Sequence, residues 1–240
     1  MAWPMPREVG GFVLAGGKST RMGRNKALLE LGGKPLVRHA VEKLRRVCMD
    51  VRVLSDNPKL AEYAPILPDL HPDCGPMGGM ETALVHSVFD WNLFLPVDMP
   101  FLPSAFIAGW LKNWLQDEKR ITGVPVRMFT VDGRPQPGFC LLHKDVVPFL
   151  SASLSRAQFK LLPVFEAAGR ELALQQGLLL KPGLWNAPMT DFRTTHENEL
   201  GEGWWVTTEA QQAAKHLWFA NLNTPEEFAE AERHLDALDA

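Results

Sequence analysis

A short apolar run, Gly11-Phe12-Val13-Leu14-Ala15, ends in Gly16-Gly17 and narrows the possible folds of this chain more than any other stretch. A continuous apolar run of this length, closed by glycines, reads as a strand buried on both faces and entering a loop. Such strands belong to parallel sheets covered by helices. Pro35 fits the first turn of a helix in which Leu36, Ala40, Val41 and Leu44 recur at helical spacing, with Arg45 and Arg46 near its end. Val51-Arg52-Val53-Leu54 and Pro65-Ile66-Leu67 read as the next two strands, and Gly78 to Phe89 as a second helix. Trp91 to Val97 reads as a strand ending at Asp98, followed by a helix from Ser104 to Leu115. This alternation predicts an α/β fold, a Rossmann-like, doubly wound and mainly parallel sheet. Ligands of such sheets bind beyond the carboxyl ends of the strands, so Gly17 and Asp98 can meet at one site although far apart in sequence.

The later chain is less regular. Asp132-Gly133-Arg134-Pro135 signals a turn, one helix is expected around 156–168, and another from Pro225 to Leu238. Between Gly177 and His216 the pattern loosens, with Pro182, Gly183, Pro188, Gly201 and Gly203 interspersed with Trp185, Trp204 and Trp205. The 240 residues suit one domain, read as spanning 1–240 with 177–216 as an irregular tryptophan-rich insertion. Its tryptophans predict that the insertion docks.

Composition excludes several classes. Hydrophobic residues make up 46% and charged residues 22%, ordinary globular usage that indicates neither disorder nor a fibre. A formal charge of −3 argues against a nucleic-acid partner and suits a small anionic ligand held in a local basic pocket. Cys48, Cys74 and Cys140 are odd in number and lack C-x-x-C spacing, so they read as reduced bystanders. Met1 to Gly11 shows no secretory pattern, and no apolar run approaches the roughly 18 residues of a membrane span. No membrane partner is expected, and the expected compartment is the cytoplasm.

The chemistry concentrates in Leu14-Ala15-Gly16-Gly17-Lys18-Ser19-Thr20-Arg21-Met22-Gly23-Arg24-Asn25-Lys26, where glycines, hydroxyl residues and cations crowd into thirteen positions. Glycines let backbone N–H groups approach oxyanions, and successive amides form anion-binding concavities. Arg21 and Lys26 can then neutralise phosphates, one as a planar fork and the other as a point charge. A solvated turn with surface cations is the bland alternative. The loop is not a P-loop, since Phe12 stands where that motif needs glycine, and no G-x-G-x-x-G follows the first strand.

Asp98, in Pro96-Val97-Asp98-Met99-Pro100, could bind Mg²⁺ together with substrate phosphates, or could be a turn residue. Asp69 follows the third strand, beside a second glycine turn, and could meet a base or ribose. Asp73 competes for that role, and a solvated turn is the alternative to both. Asn221 and Asn223 are spaced two apart, so on one strand face both could point into a cleft, with Asn223 offering an oxygen to the metal. The plainer reading of Asn221 to Glu227 is a capped terminal helix. His39, His71 and His143 show no paired metal spacing and read as surface or packed residues.

These residues carry a resemblance. Leu14 to Lys26, followed by Leu28 to Leu36, resembles the signature of molybdenum cofactor guanylyltransferases, whose fold is of the nucleotide-diphospho-sugar transferase type. Gly75-Pro76-Met77-Gly78-Gly79, Asp98-Met99-Pro100, Asn221-Leu222-Asn223-Thr224-Pro225 and Arg134-Pro135-Gln136-Pro137 are similar to further family elements, in the family's order. The resemblance implies that GTP and molybdopterin give a guanine dinucleotide cofactor and pyrophosphate, with Mg²⁺ or Mn²⁺ as cofactor and molybdenum-enzyme chaperones as further partners. It implies Arg21, Lys26 and Asp98 as catalytic residues. Leu14, Ala15, Gly16, Gly17, Lys18, Ser19, Thr20, Arg21, Lys26, Asp69, Gly75 and Asp98 would bind the nucleotide. Asp98 and Asn223 would hold the metal, and Gln136, Pro137, Asn221 and Asn223 the acceptor. Leu-Ala-Gly-Gly favours the guanylyl branch, because related cytidylyl enzymes tend to show Leu-Ala-Ala-Gly. The expectation attached to this difference is that Gly17, lacking a Cβ, leaves room for a purine. CTP or another small phosphate acceptor is the alternative within the class, and a noncatalytic nucleotide-binding delivery protein is the alternative outside it.

Overall fold

The computed structural model describes residues 9–16, 25–115, 125–175, 189–192 and 206–239. Its frame is a seven-stranded sheet. The strands are β1 (Val9–Leu14), β4 (Asp50–Leu54), β5 (Ile66–Leu67), β6 (Trp91–Pro96), β7 (Val126–Val131), β8 (Arg134–His143) and β9 (Met189–Phe192), in the order β5-β4-β1-β6-β8-β7-β9. β1 pairs in parallel with β4 on one side and β6 on the other, β4 pairs in parallel with β5, and β7 with β9. β8 runs antiparallel to both β6 and β7. The sheet is therefore mainly parallel, as expected, with one reversed strand where Asp132-Gly133 turns the chain: Asp132 has φ 47° and Gly133 φ 76°.

Alternation along the strands feeds two cores. Val13, Val53, Leu93 and Leu95 face one side, where they meet α1 (Leu36–Arg45), α3 (Ser104–Leu115) and the C-terminal elements. Phe12, Leu54 and Phe94 face the other, against α2 (Pro76–His86), α4 (Val147–Ser155) and α5 (Leu161–Gln175). Burial on both faces is why these strands carry consecutive apolar residues at 12–14, 53–54 and 93–95. β2 (Glu30–Leu31) and β3 (Lys34–Pro35) form a small separate hairpin ahead of α1.

Several boundaries differ from the sequence reading. α2 begins at Pro76 rather than Gly78, because Gly75 at φ 63° supplies the entry turn and Pro76 suits the first helical turn. The helix expected around 156–168 is α5, which starts at Leu161 and runs to Gln175, and a further helix not expected from the sequence, α4, precedes it. Between them Arg156 to Lys160 is non-helical, with Ala157 at φ 53° and Ser153 Oγ donating to the Gln158 carbonyl. The terminal helix divides into α7 (Pro225–Ala231) and a 3₁₀ turn, Glu232–Ala237, with non-helical dihedrals at His234. α6 (Glu209–Ala213) precedes it.

The loosened stretch 177–216 contains β9 and α6. Phe192, fully buried, stacks on Trp218 with ring centroids 5.5 Å apart and lies 4.8 Å from the Phe219 ring. This stretch thus docks through a phenylalanine on a strand; Trp185, Trp204 and Trp205 lie outside the described residues.

The C-terminal end is fastened by charge. Lys43 Nζ donates to Asp239 Oδ2 at 2.7 Å, and Asp239 also accepts from the Ser104 N–H and Gln211 Nε2. Burial alone pushes the Asp239 carboxyl up, but the Lys43 charge and hydrogen bond, with Ser104 and Arg46, hold it below its ordinary value of 3.8. Burial also pulls Lys43 down, and the charge and hydrogen bond of Asp239 at 2.7 Å oppose that shift. A carboxyl depressed on folding stabilises the fold above its unfolded-chain value and loses that contribution as pH falls through the folded value. Denaturant titrations should therefore show wild-type stability falling below about pH 4, with a flatter acid limb in Asp239→Asn. Parallel acid limbs would remove Asp239 from this role.

Candidate active site

The carboxyl ends of β1, β4 and β6 define the site. Leu14, last in β1, lies between Leu54 and Pro96, and its carbonyl accepts from the Val97 N–H at 3.1 Å. Ala15 N–H donates to the Leu54 carbonyl at 3.3 Å, and Gly16 emerges exposed. Gly17, Lys18, Ser19, Thr20 and Arg21 lie outside the described residues. The chain is described again at Asn25, whose side chain accepts from the Ala27 N–H at 3.0 Å and caps a 3₁₀ turn over Lys26–Leu28. That cap orients Lys26.

Lys26 Nζ donates to Asp98 Oδ2 at 2.5 Å and to Asn223 Oδ1 at 2.6 Å. The Lys26 and Asp98 side chains are only 17% and 18% exposed. Three residues from the beginning, middle and end of the chain thus converge on one point beyond β6. Their approach is fixed by backbone: Asp98 follows β6, and its carbonyl accepts from the Leu222 N–H at 3.1 Å. Leu222 is buried in the core, while Asn221 and Asn223 on either side are progressively more exposed.

The asparagines are not on a strand, which corrects the expectation of a shared strand face. One backbone bond to Asp98 makes an extended tether, not a sheet ladder. Asn223 is held by its own neighbours: its Nδ2 donates to the Asn221 carbonyl at 3.3 Å, and its N–H to Glu227 Oε2 at 2.5 Å. Asn221 therefore contributes a carbonyl that braces Asn223. Thr224 completes a capping box with Glu227 at the start of α7, so the plainer reading of this motif, a capped terminal helix, is met. Thr224→Ala should cost about 1 kcal/mol in equilibrium unfolding and loosen Asn223 with it. An unchanged denaturation midpoint would show that the box does not bear on stability.

The second glycine turn packs around Asp69. A Cβ on Gly78 would lie 2.7 Å from the His71 carbonyl, so glycine is required there, and one on Gly79 would crowd Asp69 Oδ1 at 3.2 Å. Burial raises the Asp69 carboxyl above its ordinary value, and the negative charge of Asp56 adds to this. Asp73, its competitor, is exposed in the turn at φ 63°. Sequence reasoning missed Glu81: buried on α2, it accepts from Ser151 Oγ and sits 3.3 Å from His71 Nε2, bracing the turn from below. A charged residue inside an otherwise apolar helix was the available signal. His39 is buried with Nε2 2.9 Å from the Leu31 carbonyl, and His143 caps a 3₁₀ turn, both packed as expected.

Gln136 and Pro137 lie near the start of β8. The register Phe94↔Cys140, carried two residues on, sets Gly138 beside Pro96, where an added Cβ would stand 3.1 Å from Pro96 Cγ. The antiparallel strand thus delivers Gln136 and Pro137 to the same end of the sheet as Asp98. Gln136 Nε2 reaches the Arg134 carbonyl at 3.4 Å.

Asp98 Oδ2 and Asn223 Oδ1 point at one cation, the Lys26 ammonium. Two oxygens that already share a positive charge suit a hard divalent ion, which takes carboxylate and amide oxygens. The donor set therefore fits the metal that such chemistry uses.

The chain has relatives among known proteins. The MobA-like NTP transferase domain matches residues 11–168. The chain belongs to the MobA-like NTP transferase family. This makes it a nucleotidyltransferase. It is 34% identical over 172 residues to a molybdenum cofactor guanylyltransferase of Serratia proteamaculans, covering 69% of this chain and 83% of that protein. It is 32% identical over 166 residues to the protein of that name from Vibrio cholerae, covering 67% of this chain and 78% of that protein. In fold it is similar to molybdopterin-guanine dinucleotide biosynthesis protein A of Archaeoglobus fulgidus, with TM-score 0.64, 21% identity and coverage of 93% of this chain and 97% of that one. The MobA-like family match ends at residue 168, so Asn221 and Asn223 lie beyond it; only the fold brings them to the site.

One correction concerns the loop. Leu-Ala-Gly-Gly departs from Leu-Ala-Ala-Gly at its third residue, which is Gly16, not Gly17. The purine expectation therefore belongs to Gly16, where an added Cβ would meet the Leu54 carbonyl at an ordinary 3.7 Å.

Proposed function

We propose that this protein transfers GMP from GTP to the terminal phosphate of molybdopterin, releasing pyrophosphate, in the cytoplasm and as a single catalytic unit spanning the chain. The observation that carries the reading is the convergence of Lys26, Asp98 and Asn223 beyond the end of β6. The names of the relatives support the guanylyl donor and the molybdopterin acceptor. The acceptor phosphate attacks the α-phosphorus in line and pyrophosphate leaves, so catalysis consists of positioning and charge stabilisation. Asp98 and Asn223 would hold Mg²⁺, with Mn²⁺ as a substitute; when bound, the ion neutralises phosphate charge. Lys26 stands within reach of the same point and would follow the negative charge onto the phosphates. Amides from Gly16 to Thr20 and the Arg21 guanidinium would cradle the β- and γ-phosphates, beside Leu14 and Ala15. Asp69, with Gly75 and the turn it begins, would meet the base or ribose. Gln136, Pro137, Asn221 and Asn223 would face the acceptor, whose product would pass to molybdenum-enzyme chaperones.

The test is pyrophosphate release with molybdopterin and each of the four triphosphates, with the dinucleotide product identified by mass. GTP should exceed CTP in kcat/KM, and Gly16→Ala should narrow that ratio about tenfold, the lower range of what a methyl group decides. A wild type that prefers CTP would overturn the guanylyl reading and leave the nucleotidyltransferase standing. Triphosphate binding with no pyrophosphate release from any pair would instead indicate a delivery protein.

A further inference from the structure

A second group of metal-ligating side chains lies at the C-terminal cap. His216 belongs to a 3₁₀ turn, Lys215–Leu217, that packs ahead of the segment carrying Asn221 and Asn223. Glu230 lies in the last turn of α7, and His234 four residues on, where the helix gives way to 3₁₀ geometry. Four-residue spacing stacks Glu230 and His234 on one face. His234 Nε2 stands 3.3 Å from Glu230 Oε1, and the His216 and His234 rings meet edge to face with centroids 5.6 Å apart. One ligand atom from each of the three residues lies within 4.8 Å of the others. Glu230 Oε2 is engaged by Arg233 Nη1, which orients the carboxylate and leaves Oε1 toward the histidines.

We propose that His216, Glu230 and His234 bind a divalent transition-metal ion of the zinc type, with water completing its coordination. Two imidazoles and one carboxylate are a zinc donor set, and bonds of about 2.0–2.2 Å place tetrahedral ligands about 3.3 Å apart. Closing from the observed separation takes rotation of side chains at the surface, His216 being exposed and the other two partly so. The chemistry separates this site from the first. Imidazole nitrogens select zinc, cobalt or nickel, whereas the oxygens of Asp98 and Asn223 select magnesium or manganese. The ion would join the two ends of the 216–230 segment and so close the loop that presents Asn223, independently of which nucleotide the enzyme uses.

The experiment uses the untagged full chain, stripped with EDTA and exchanged into buffer. Cobalt(II) titration read by visible absorption, and zinc titration read by calorimetry, should each report one imidazole-bearing site per chain. Saturating zinc at about ten times its Kd should raise Tm by about 3–6 °C. His216→Ala and His234→Ala, both at the surface and verified as folded by circular dichroism, should each lower zinc affinity at least about tenfold. Asp98→Asn should leave the cobalt spectrum unchanged. Failure of the wild type to take up zinc or cobalt stoichiometrically would overturn the proposal, and so would equal uptake by both histidine variants or loss of the spectrum in Asp98→Asn.

Discussion

Lys26→Ala should lower kcat/KM by about 10²–10³-fold, a loss of about 2.7–4 kcal/mol of transition-state stabilisation, with the fold retained. The lysine sits on a capped 3₁₀ turn, and its ammonium is bonded to Asp98 Oδ2 and Asn223 Oδ1 rather than to the core. Its removal deletes a positive charge from the point where phosphate charge must be stabilised. Lys26→Arg should not fully rescue the rate, because a planar, longer guanidinium directs its donors differently from the compact ammonium that bridges the two oxygens. Both oxygens survive in Lys26→Ala, so the metal concentration for half-maximal rate should stay near the wild-type value or fall. Steady-state kinetics with varied GTP and varied metal measures both quantities, and wild-type kcat/KM in the variant would remove Lys26 from the catalytic step.

Asp98→Asn should give the opposite signature: the metal concentration for half-maximal rate rises by on the order of tenfold or more, and kcat/KM falls by about 10²-fold at fixed metal. The amide keeps an oxygen in place but removes the charge that attracts the ion. It also keeps the local fold, since the backbone carbonyl of Asp98, not its side chain, holds the Leu222 N–H. Circular dichroism and the denaturation midpoint should therefore match wild type closely. Superimposed metal titrations for the Asp98→Asn variant and the wild-type enzyme would make Asp98 a turn residue. Combining the two substitutions should cost less than the sum of their separate losses, because Lys26 and Asp98 are in direct contact and act at one point.

Much of this arrangement was legible in residues alone. The apolar segments 12–14, 53–54 and 93–95 are continuous because both of their faces are covered, and that pattern, with the intervening helices, points to parallel strands. The strand-end rule then placed Asp98 with Gly17 at one end of the sheet; Gly17 lies outside the described residues, and Asp98 stands there against Lys26. Local chemistry also marked Pro35 ahead of α1 and the α7 start, where Thr224, Pro225 and Glu227 act within one helical turn. Signals of this kind survive in sequence because each depends on residues a few positions apart.

Other features depended on contacts that no local pattern encodes. β9 is four residues long, and β7 supplies its backbone partners, so propensity had little to register and Phe192 reaches its place only through the aromatic cluster of Trp218 and Phe219. The division of α4 from α5 rests on Ala157 in a left-handed conformation, stabilised by Ser153 reaching forward to Gln158. Glu81 became interpretable only once α2 lay against Ser151 and His71. Asn221 and Asn223 look alike in sequence, yet one offers a backbone carbonyl and the other a side-chain oxygen to the site. The sheet, the end at which its strands release loops and the charged residues placed there follow from the order of residues, because strand burial and helix caps are short-range properties. Which oxygens share one cation follows only from long-range packing, since Lys26 and Asn223 stand 197 positions apart and come within 2.6 Å where the buried Leu222 bonds the Asp98 carbonyl.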